Sequence, residues 1–235
     1  MGASFAAFLE GLDWSPLYIS LKTGAAATVI CFFLGILTAG WIMGRNKGVR
    51  AFVDSVLTLP MVIPPTAAGF FLLLLFSKRR MFGAFLYDSF GIRVIQSWTG
   101  CVIAAVVIAF PLMYRNARAA FEQVDIDLIY AGRTLGLSDW KIFWRVVFPA
   151  ARPGIISGTV LTFARAMGEY GATSMLAGNI PRKTGTISQR IAMVIQDGNY
   201  FVAGFWTVVV MLIALVILLV INLCSGNSAR RPQQW

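Results

Sequence analysis

The chain has 235 residues, of which 58% are hydrophobic and 13% charged, with no histidine and a formal net charge of +10. That apolar fraction stands well above the roughly 45–50% of an ordinary soluble domain, so a soluble fold is excluded and an all-α integral membrane protein is expected. The basic excess alone would suit a nucleic-acid binder, but in so apolar a chain it fits loops beside an anionic lipid leaflet, and no nucleic-acid partner is expected. Cys31, Cys101 and Cys224 are widely spaced inside apolar runs. A zinc site, a haem site and a disulfide framework therefore lack ligands, and no metal site is expected.

Residues 1–16 carry Glu10 and Asp13 but no Lys or Arg, unlike the basic start of a cleaved signal peptide. Phe5, Phe8, Leu9 and Leu12 recur at i, i+3, i+4, i+7, which predicts a short external amphipathic helix with Trp14 at the interface. A helical crossing needs about 20 mostly apolar residues, because lipid offers the backbone no hydrogen-bond partner. Five stretches qualify: Leu17 to Met43, Ala51 to Phe76, Trp98 to Tyr114, Gly154 to Ala177 and Phe201 to Cys224. They define a transmembrane unit over 17–224, with 225–235 as a short tail. Trp41, Trp98 and Trp206 fall near span ends, as an aromatic belt requires.

An external N-terminus puts eleven Lys and Arg in inner loops and tails and seven in outer loops. That bias favours an outside N-terminus and a cytoplasmic C-terminus.

Pro60, Pro64 and Pro65 interrupt the second span, where each removes a backbone donor and frees carbonyls of the preceding turn. Such breaks occur where a neighbour or a water-filled cavity supplies new partners. With Thr66 and Gly69 just beyond, this segment is expected to form a gate with the fourth span near Thr173. In that fourth span Arg165 and Glu169 lie four residues apart, on one helix face and within hydrocarbon depth. Charges there cost about 2.5–3.5 kcal/mol each, so they pair with each other or line a pathway.

Between the third and fourth spans the segment around 115–153 is long for a simple connection and is patterned as structure. Asp125 or Asp127 can cap a first short helix that Gly136 ends in a left-handed turn. Ser138 can cap a second helix running to Phe148 before Pro149. Trp140, Phe143, Trp144 and Val147 give that second helix one apolar face. Pattern alone leaves open an interfacial helix pair that only packs on lipid.

The string Tyr130-Ala131-Gly132, three residues including Leu135, Gly136, nine residues, Val146-Val147-Phe148-Pro149 resembles the cytoplasmic signature of importer permeases of the ATP-binding-cassette class. That signature reads Glu-Ala-Ala, three residues, Gly, nine residues, Ile-x-Leu-Pro. Ala131, Gly136 and Pro149 match it, while Tyr130, Gly132, Val146 and Phe148 depart. Further strings run from Leu57 to Gly69, Phe110 to Arg115, Phe163 to Thr173 and Gly178 to Thr184. They make the chain resemble the permease subunit of molybdate importers, and less closely sulfate and tungstate permeases.

The resemblance implies a type I importer permease forming a homodimer in the bacterial or archaeal cytoplasmic membrane. It further implies two ATP-binding subunits inside and an oxyanion-binding protein outside. Tyr130, Ala131, Gly132, Leu135, Gly136 and Pro149 would couple to the ATPase, and Pro64, Pro65, Thr66, Arg165, Glu169 and Thr173 would form the pathway or gate. The chain would be a non-catalytic subunit with no cofactor of its own, ATP and magnesium residing on the partner, since no G-x-x-x-x-G-K-[ST] loop occurs in it. A stand-alone ion-coupled carrier using Arg165 and Glu169 as a relay is the alternative from another class, and a scaffold without a pathway would leave the buried charges without a task.

Overall fold

The structure, a computed structural model, describes residues 10–226, with side chains as far as residue 219. All regular structure among them is helical. The first half contains α1 (Ser15–Met43), α2 (Lys47–Val62), α3 (Pro65–Phe76), α4 (Met81–Phe90) and α5 (Trp98–Glu122). The second half contains α6 (Ile126–Thr134), α7 (Asp139–Ala150), α8 (Arg152–Met167), α9 (Gly171–Ala177), α10 (Ile187–Gln196) and α11 (Tyr200–Gly226). Of these, α1, α5 and α11 are each long and apolar enough to cross a bilayer.

The second predicted span is two helices, α2 and α3, set at 107° to one another. Ile63 and Pro64 each precede a proline, whose ring drives the residue before it out of the helical region. Their ψ angles are 149° and 134°. Pro60, expected to add to the break, instead lies inside α2, so the Pro64-Pro65 pair alone makes the corner.

The fourth span is also broken. α8 ends at Met167 and α9 starts at Gly171, leaving Gly168, Glu169 and Tyr170 between them. Arg165 and Glu169 are therefore not on one continuous helix. The third span runs about two turns beyond Tyr114 to Glu122, so the folded inner segment starts later than Arg115. Phe5, Phe8 and Leu9 of the expected amphipathic helix lie outside the described residues, as does the 227–235 part of the tail. Trp206, expected at the interface, is fully buried and packs edge-on against Trp14 at 5.7 Å between centroids.

α5 is the axis of the bundle, packed by α1, α8, α9 and α2. Close approach rests on small residues, as expected where lipid supplies no hydrophobic drive between helices. Ala27, Ala39, Ala105, Ala109 and Ala117 are wholly buried, and a Cβ at Gly35 would stand 2.8 Å from Met113. One apolar core joins α1 and α5 to α7 through Ile36, Ile42, Phe121, Ile142 and Val147. A second joins α3, α5 and α9 through Ala68, Ala104, Ile108, Ala172 and Leu176. The short helix α10, which hydropathy does not signal, is fixed by a capping box between Thr186 and Gln189.

Candidate functional site

The broken ends of the second and fourth spans meet. A Cβ built on Gly69 of α3 would stand 2.6 Å from the Ala172 Cα of α9, and one built on Gly171 would stand 3.0 Å from Pro65 and 3.1 Å from the Thr66 amide. Only glycine allows this backbone-to-backbone contact. Pro64 and Thr66 are exposed and Pro65 half-buried beside it, whereas Thr173 is 1% exposed and turned into the bundle.

Glu169 sits in the gap between α8 and α9, and is 3% exposed. One carboxylate oxygen accepts from Arg165 Nη1 at 2.8 Å and the other from the Ala172 amide at 2.8 Å. The expected pairing survives the helix break because the chain turns Glu169 back toward α8. Its second oxygen holds the first turn of α9, a role that spacing alone does not reveal. The Arg165 side chain keeps 38% of its surface exposed while its charge is neutralised.

On the far end of α5 lies the helical elbow. The Asp125 side chain accepts from the Asp127 amide and caps α6. α6 closes in a Schellman turn: the Leu137 amide donates to the Gly132 carbonyl at 3.1 Å and the Gly136 amide to the Arg133 carbonyl at 2.9 Å. Gly136 has φ +73°, a conformation that glycine adopts without strain. Ser138 then caps α7. α7 does not stop before Pro149; a π-helical turn over Phe143–Val147 absorbs the missing proline donor and carries the helix to Ala150. Gly132, where the permease signature has alanine, lies 3.0 Å in Cβ reach from Ile142, so the departure from the signature lets α6 and α7 close together.

Tyr130, Ala131 and Leu135 project outward, Leu135 with 79% of its surface exposed. Gly136 is exposed and Pro149 half-buried. Behind this face, Phe143 stacks edge-on to Phe121 of α5 at 5.2 Å and fills the space over Gly40 of α1, where a Cβ would stand 2.9 Å from its ring. A force on the elbow therefore reaches two spanning helices through close-packed atoms.

An ion cluster between α2 and α5 is not foreseen by the sequence reading. Asp54 accepts from Tyr114 and Arg118, Arg118 bonds Glu122 at 3.0 Å, and Arg50 pairs with Glu122. The signal is there: Arg50 and Asp54 are four apart, as are Tyr114, Arg118 and Glu122, giving two facing polar rows. Ending the third span at Tyr114 hides it.

Two broken spans thus meet at glycine contacts, and a capped elbow packs on the other end of the central helix. Solved structures agree on the fold. The MetNI methionine ABC transporter in inward-facing conformations matches at a TM-score of 0.65 and 18% identity over 92% of this chain and 94% of that one. A bacterial ABC transporter importing the acidic polysaccharide alginate matches at 0.73, again at 18% identity, over 92% and 79%.

The chain belongs to the family of binding-protein-dependent transport system inner membrane components, whose model matches residues 32–231. Among curated relatives, the molybdenum transport system permease protein ModB of Escherichia coli strain K12 is 40% identical over 93% of this chain and 96% of its own. The putative molybdenum transport system permease protein YvgM of Bacillus subtilis strain 168 is 36% identical over 89% and 92%. The sulfate transport system permease protein CysT of Escherichia coli strain K12 is 31% identical over 91% and 76%.

Proposed function

We propose that this chain forms, with a second copy of itself, the inward pathway for molybdate. It is driven by two ATP-binding subunits at the elbow and loaded by an oxyanion-binding protein on the opposite face. The substrate reading rests on the relatives: the molybdenum permease ModB of Escherichia coli is more similar, over more of its own length, than the sulfate permeases. The single observation that carries the mechanism is Glu169 neutralising Arg165 beside the α3–α9 junction. An open arginine in a narrow passage would hold a tetrahedral dianion, whereas a paired one attracts it weakly and lets it go. Pro64, Pro65 and Thr66 form the wall opposite, and buried Thr173 holds α9 in place behind it.

In this reading Tyr130, Ala131 and Leu135 meet the ATPase, Gly132, Gly136 and Pro149 shape the elbow, and the N-terminus faces outward. A second copy has a surface to use. Val49, Phe52, Val56 and Leu59 form an exposed apolar stripe on α2, turned away from its ion cluster. ATP and magnesium belong to the partner subunits.

The test is uptake of labelled molybdate into vesicles holding the permease, its ATPase and its binding protein. Uptake should require all three and ATP, and unlabelled molybdate should suppress it at concentrations where sulfate does not. Uptake driven by an ion gradient without the ATPase would instead establish a carrier, and equal competition by sulfate would overturn the substrate.

A further inference from the structure

Beside the elbow, α1, α6 and α7 enclose a groove of about 730 Å³. Its floor is apolar: Ile36, Gly40, Ile129, Ile142, Phe143 and Val147 line it. The α1 wall is made by Leu37 and Trp41, which are 52% and 51% exposed on a spanning helix. On its α1 side the groove therefore opens sideways, into the layer that surrounds that helix. Trp41, Trp140 and Trp144 stand at its rim, the residues that settle where acyl chains give way to headgroups.

The rim also carries a cationic excess. Arg45 lies over the Trp41 ring at 4.5 Å, and Arg133 lines the groove itself. Asp139, the acidic residue of the lining, bonds Arg133 Nε at 3.1 Å and leaves the other guanidinium donors of Arg133 for a further acceptor. Lys141 and Arg145 stand exposed on α7 nearby in sequence.

We propose that this groove is a binding site for one anionic phospholipid of the inner leaflet, with an acyl chain along the apolar floor and the phosphate between Arg45 and Arg133. Apolar floor, tryptophan rim and cationic edge match the three parts of such a lipid in their order of depth. A water-soluble protein segment would meet the cationic edge but would have to leave its backbone against lipid. Bound there, the lipid is a wedge between α1 and the elbow, so the ATPase acts on the membrane helices partly through it. The assignment to the inner leaflet rests on the orientation proposed above; the site itself does not need the ATPase.

The experiment uses the full-length permease in phosphatidylcholine vesicles doped with spin-labelled phosphatidylglycerol or spin-labelled phosphatidylcholine. The motionally restricted fraction should favour phosphatidylglycerol roughly fivefold, the share of one cation, since Arg133 is shared with Asp139. Arg45→Gln with Arg133→Gln should bring the two lipids to parity, and Leu37→Trp, which fills the groove from its lipid-facing wall, should remove the restricted component. Equal restriction of both lipids by the unaltered protein would overturn the site, as would a preference that survives the double substitution. Because the lipid is read on the permease alone, failure of ATPase assembly would strike the proposed function and leave this result standing.

Discussion

Glu169 is the residue on which the pathway reading turns. Its carboxylate does two jobs, neutralising Arg165 and accepting the Ala172 amide. Glu169→Gln keeps a carbonyl for the amide but leaves Arg165 with its full charge. A hydrogen bond to a charged group is worth about 1.5–3 kcal/mol, and the exposure of Arg165 places this one at the low end, so release of the anion should slow about tenfold. Labelled uptake in vesicles should show that fall while thermal unfolding in detergent changes little; uptake at the unaltered rate would remove the pair from the pathway. Gly69 offers a contrasting case. Gly69→Val puts a side chain where only 2.6 Å separates the Cβ from Ala172, and overpacking of this kind costs about 1–3 kcal/mol. The expected result is a lower melting temperature together with lost uptake.

At the scale of elements, α2 buries none of its residues fully and is held to α5 by the Asp54, Arg118, Glu122 and Arg50 cluster with help from Val53 and Leu57. Asp54→Asn should therefore loosen α2 without melting the bundle. Hydrogen exchange should rise across 47–62 and stay unchanged in α5, and salt should have a similar effect on the unaltered protein. Protection that remains unchanged in α2 would show that its apolar contacts suffice. Helix existence was legible in the sequence wherever one element had to satisfy its own backbone in lipid, as in α1 and α11. Breaks were half legible: Pro64 and Pro65 announced theirs, whereas the one at Gly168–Tyr170 carries no proline and is made by tertiary packing of α9 on α3. The elbow was legible from Asp125, Gly136 and Ser138, because caps are local chemistry. Trp206 misled because burial of a tryptophan near a span end depends on Trp14, a partner far away in the chain.

Over the whole molecule, the two ends of α5 carry different structures. The α3–α9 junction packs on one core and the elbow on another, and α5 is common to both. The central claim is that motion imposed on the elbow is carried along close-packed helices to the junction. Gly136 is where shape and fold separate most cleanly, since its φ of +73° matters but no neighbour stands within 4 Å of a Cβ there. A β-branched residue in that conformation costs about 1–3 kcal/mol, relieved by reorienting α6 against α7. The decisive measurement is ATP turnover by the reconstituted complex of Gly136→Val, with and without loaded binding protein. The complex should assemble and hydrolyse ATP at its basal rate but lose stimulation by the binding protein. Stimulation equal to that of the unaltered complex would contradict transmission through the elbow.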